Sequence, residues 1–133
     1  MKIELTDLEF RRLIDLVYVG NWILNSTRTD DRIEEYDLIE EKIFSLCPGN
    51  GMSSLTQRRR GHYLPSKAYE DGGIHEAIAE YESEVFFDIL AEELAMRDMR
   101  EAGEDSAESL IKRSADYLDE FEESGIDNLR LSE

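Results

Sequence analysis

A single cysteine, Cys47, in 133 residues rules out an internal disulfide and fits a reducing compartment. Apolar stretches are only a few residues long, so no membrane span is expected. The opening MKIELTDLEF carries acids early and lacks an apolar signal core, which points to a cytoplasmic location. Positive charge is scarce: 15 Lys plus Arg stand against 32 Asp plus Glu, a formal net charge of −17. A surface so acidic repels phosphate backbones and anionic lipid, so neither generic nucleic-acid binding nor a membrane partner is expected.

Catalytic signatures are missing as well. The chain has no GxSxG elbow, no GxxxxGK[ST] phosphate loop and no GxGxxG following a strand. The residues three before His62 and His75 are Arg59 and Gly72, so neither histidine completes the Glu-x-x-His of a di-iron bundle, and no HExxH occurs. Cys47 precedes Pro48 without a histidine partner in sequence and reads as a buried structural thiol. His75, beside acids in the first turn of a helix, reads as a surface residue. No catalytic residue, metal site or cofactor is assigned, and the sequence leans away from an enzyme.

What remains is charge pattern and helical periodicity. Residues 1–56 carry 6 basic and 11 acidic side chains, residues 57–67 carry four basic and no acidic ones, and residues 68–133 carry 5 basic and 21 acidic ones. The chain is thus an acidic body interrupted by one short basic segment.

The length suits a single domain, and four helices are expected, over about 6–26, 31–46, 73–100 and 106–124. Thr6 and Glu9 have the spacing of a capping box, and Leu5 with Phe10 that of a hydrophobic staple. The first helix is apolar on several sides, as a central helix would be, and Gly20 is placed to let a neighbour approach closely. The second carries a stripe of Ile33, Tyr36, Ile39, Ile43 and Leu46. In the third, Ile74, Ile78, Tyr81, Val85, Ile89 and Met96 lie near one face, and the fourth has Ala107, Leu110, Ile111, Ala115, Leu118 and Phe121 in phase. Pro48-Gly49-Asn50-Gly51 ends the second helix, and the interval 47–72 reads as a long irregular loop. The expected fold is therefore all-α, an antiparallel bundle of about four helices with that loop between the second and third. Tyr18, Trp22 and Tyr36 are read as packing residues.

Two features carry a functional expectation. Glu76, Glu80, Glu84, Asp88 and Glu92 recur every four residues, and because four residues advance 400° the series winds about 160° round the helix. It forms a broad acidic face, either simply solvated or a dock for a basic protein; on the second reading the chain is a non-enzymatic adaptor or inhibitor. The alternative uses the basic loop 58–67: Arg58, Arg59, Arg60 and Tyr63 would clamp a phosphate or another small anion, as a binder or an enzyme. The same arginines are also placed to lie across the acidic helices and pair with them. A homodimer through the long third helix is a further expected mode of association.

Overall fold

A computed structural model describes residues 1–132. It is mostly helical, with one small two-stranded sheet. Two compact units divide the chain, Met1–Ile78 and Ala79–Glu133.

In the first unit, α1 spans Asp7–Asn25. Its capping box forms as expected: the Glu9 amide donates to Thr6 Oγ1 (3.2 Å) and the Thr6 amide to Glu9 Oε2 (2.8 Å). The buried line runs Phe10, Ile14, Tyr18, Asn21, Asn25, a spacing of three or four that changes from apolar to amide in its last turns. Leu8, Leu16 and Ile23 are exposed, so α1 is covered on one side rather than enclosed. Gly20 admits no close neighbour either; a Cβ built there meets nothing within 4 Å.

Helix α2 covers Glu34–Phe44, three residues later than its sequence start. Asn25 is the reason. Its side chain accepts from the Ile33 amide (2.8 Å) and donates to the Ile33 carbonyl (3.0 Å), holding Ile33 extended at the helix entrance. The face that α2 turns inward matches the expected one only in part. Phe44 and then Cys47 are fully buried, Ile33 and Ile43 of the expected stripe are half-buried with Ile43 against the core, Asp37, Glu40 and Glu41 are half-buried too, and Tyr36, Ile39 and Leu46 stay exposed. The amide end of α1 explains this choice, because it offers hydrogen-bond donors to carboxylates and no apolar surface to isoleucine.

The interval expected as an irregular loop is ordered. After two short turns at Pro48–Asn50 and Ser53–Leu55, β1 (Thr56–Arg59) pairs antiparallel with β2 (His62–Pro65), Arg58 opposite Tyr63 and Arg59 opposite His62. The two linking residues, Arg60 (φ 52°) and Gly61 (φ 81°), both have positive φ, the form that matches the twist of a tight hairpin. The all-α expectation is corrected to this extent. A one-turn helix α3, Lys67–Tyr69, and a wide turn at Glu70–Ile74 lead into α4, which spans His75–Ala102. Gly73 bends that turn at φ 112°, a value side chains rarely tolerate.

The first unit closes around Phe10, Ile14, Tyr18, Phe44, Cys47, Tyr69 and Ile78, the last from the opening of α4. Tyr69 sits at its centre, edge-on to Tyr18 (5.2 Å) and Phe44 (5.4 Å), with its hydroxyl donating to Asp15 (2.8 Å).

The second unit comprises the rest of α4 and α5, Ala107–Ser124, capped by Ser106 Oγ on the Ser109 amide. Ala91, Ala95 and Met99 of α4 and Phe121 of α5 are buried, and Phe87 meets Phe121 at 5.5 Å. The buried line of α4 here is built on alanines, not on the expected Tyr81 and Ile89, which are exposed. Tyr117 bonds to Asp98, and Arg113 holds Glu104 through two hydrogen bonds (3.0 and 3.1 Å).

Candidate functional site

The five acids of the winding series lie on α4, and all five are exposed. None of Glu76, Glu80, Glu84, Asp88 and Glu92 takes part in an ion pair among the described residues. Glu76 falls in the first unit; the other four fall in the second, where Tyr81, Phe86 and Ile89 are exposed between them at 59%, 50% and 56%. Helix α5 adds an exposed Ile111.

The four anion-clamp residues lie on the hairpin. Arg58 and Tyr63 are cross-strand partners, with the guanidinium 5.4 Å from the ring centroid. Arg59 follows on the alternate face of the strand, opposite His62, and Arg60 occupies the turn. The three arginines thus occupy successive positions of β1 and its turn. No described ion pair contains any of the three. The hairpin meets α2 through Glu41, which accepts from His62 Nδ1 (3.0 Å) and the Tyr63 amide (3.2 Å).

A third constellation went unread in the sequence. The amide end of α1 faces the acid side of α2, and between them opens a cleft of about 290 Å³ lined by Tyr18, Asn21, Trp22, Ser26, Arg32 and Glu40. Asn21 Nδ2 donates to Asp37 Oδ1 (3.0 Å) and Glu40 Oε2 (3.1 Å), while Asn21 Oδ1 accepts from Asn25 (2.7 Å). Arg32 grips both oxygens of Asp37 at 2.9 and 2.7 Å and holds that carboxyl below the usual carboxylate range. Burial has the opposite effect on Glu40, whose carboxyl is pushed up. Tyr18 stacks on Trp22 (6.2 Å) and is hydrogen-bonded to His75 Nε2 (2.6 Å); burial raises its hydroxyl to about 12. The His75 ring stands edge-on to Trp22 at 4.8 Å, so this histidine belongs to an aromatic cluster and not to the open surface. One signal was present: Asn21 and Asn25 continue the 10, 14, 18 stripe, and polar groups on a buried stripe need partners.

Comparison with known protein families, with curated proteins and with solved structures finds no match to this chain.

Proposed function

We propose that the chain is a protein-interaction module that uses the acidic face of α4 in its second unit to receive a basic, amphipathic segment of a partner. The observation that carries this reading is the exposure of Glu80, Glu84, Asp88 and Glu92 without an ion pair among the described residues. Neighbouring like charges every four residues disfavour the helix by a few tenths of a kcal/mol each, an expense that an opposite charge removes. Exposed Tyr81, Phe86 and Ile89 add apolar surface beside the carboxylates, so that lysines or arginines would meet acids while apolar side chains cover the rings. Self-association through the same face would set these carboxylates against their copies, which opposes a homodimer built this way.

The test is capture from native lysate by the tagged chain, alongside a variant carrying Glu84→Lys and Asp88→Lys whose helical signal is first shown to match the parent. A basic protein retained stoichiometrically by the parent, lost from the variant and weakened as salt rises is the expected result. Equal retention by both proteins, or none by either, discards the acidic face as a dock.

A further inference from the structure

We infer that the cleft between α1 and α2 is a binding site for a small organic cation, an ammonium group carried on an alkyl chain. The inference is independent of the acidic face of α4, because it concerns different residues in the first unit.

Three observations converge. The first is charge. Of the carboxylates near the cleft, Asp37 is paired with Arg32, whereas Glu40 forms no ion pair among the described residues; Arg32 acts on it from a distance, opposed by the carboxylates of Asp37 and Glu70. With Arg32 engaged by Asp37, Glu40 is the charge in the cleft wall that lacks an ion pair. The second is the state of Glu40. Oε2 accepts from Asn21, Oε1 has no described partner, and no buried side-chain oxygen or nitrogen among the described residues is left unpaired. Oε1 consequently reaches solvent on a residue that lines the cleft, and is free to accept an N–H. Burial has already stripped this carboxyl of much of its water, so an incoming ammonium gains more here than at a surface glutamate.

The third is the wall. Trp22 and Tyr18 stack beside one another along the cleft and offer ring faces to a cation and to the methylenes behind it. His75 holds these rings through one hydrogen bond to Tyr18 and an edge-on contact with each of them. Asn21 fixes the carboxylate, its two amide hydrogens shared among Asp37, Glu40 and no other group. A volume of about 290 Å³ admits a short alkylamine rather than a nucleotide or sugar chain. Such an ammonium reaches the site either as a free amine or as a lysine side chain.

Trp22 is the only tryptophan, so its fluorescence reports the cleft directly. The full chain is titrated with butylamine, 1,4-diaminobutane, Nα-acetyl-lysine amide and, as a charge-reversed control, butyrate. Saturable change with the three amines and none with butyrate is expected. A stronger response to the diamine assigns a free amine, and a stronger response to the lysine amide assigns a protein side chain. Glu40→Gln should weaken amine binding at least tenfold, whereas Glu84→Gln on α4 should leave it as in the parent. Should Glu40→Gln fail to fold, Glu70→Gln decides the matter, with binding several-fold weaker expected. Amines that give no saturable change, butyrate that binds as well as butylamine, or a folded Glu40→Gln (in its absence, Glu70→Gln) that binds like the parent would each overturn the inference.

Discussion

Asn25 does more for the first unit than its size suggests. It is fully buried, and its amide bonds Asn21 and both backbone groups of Ile33. Replacement by Leu keeps the volume while orphaning the Ile33 amide and carbonyl at the entrance to α2. At about 1–3 kcal/mol for each buried unsatisfied group, Asn25→Leu should destabilise the chain by about 3 kcal/mol. In urea this appears as a lower midpoint with unchanged slope. Tyr18 gives a prediction of a different kind. Its hydroxyl is raised from 10.0 to about 12, so the folded state holds this proton more tightly than the unfolded chain does. That stability is fully present below pH 10 and is lost as pH rises toward about 12. Tyr18→Phe should be less stable at neutral pH by about 1 kcal/mol, through loss of the His75 bond, and should lose less of its remaining stability across that alkaline window. Circular dichroism against pH, read beside tyrosinate absorbance, checks both signs. On the acid side Asp37, depressed by Arg32, contributes stability that disappears as pH falls through its folded value, while protonation of Glu40 works the other way.

Elements repeat the contrast between what pattern reveals and what it hides. The positions of the four long helices were legible because caps and breakers are local: Thr6 with Glu9, Pro48 and Gly125 all act where the sequence places them. Which face α2 buries was legible only at Ile33 and Ile43. Its apolar stripe was the stronger signal, but the partner surface is made of Asn21 and Asn25, and polar complementarity between two helices leaves no trace in the periodicity of either. The cleft was hidden for the same reason, whereas the acidic series needed only one helix to be seen. The hairpin escaped because Thr56–Arg59 shows no alternation and Arg60-Gly61 lacks the usual Asn at its first turn position. That last point is testable. Arg60 holds φ 52°, a value Asn tolerates better, so Arg60→Asn should stabilise the hairpin by about 0.5–1 kcal/mol. Slower amide exchange in β1 and β2 would report it, and Gly61→Ala should accelerate the same exchange.

For the whole molecule, the balance of −17 makes two equilibria respond to salt in opposite directions. Folding gathers 32 carboxylates closer together than the unfolded chain requires, and among the described residues only a few of them, such as Asp15, Asp37, Asp98 and Glu104, are answered by a guanidinium. Screening at 0.15 M shortens the reach of the remaining repulsion to about 8 Å, so added sodium chloride should raise the melting temperature. Binding of a basic partner to α4 draws on the same unpaired charge as attraction, so the same addition should weaken it. A single titration from low to moderate salt therefore separates two readings of the acidic series. If Glu80, Glu84, Asp88 and Glu92 serve a partner, replacing them with Gln should raise the melting temperature at low salt, flatten its salt dependence and abolish capture. If they serve solvation alone, the melting temperature behaves identically and capture is unaffected. Stability thus reports how strongly the acids repel one another, and only the salt-dependent loss of capture reports what that repulsion is for.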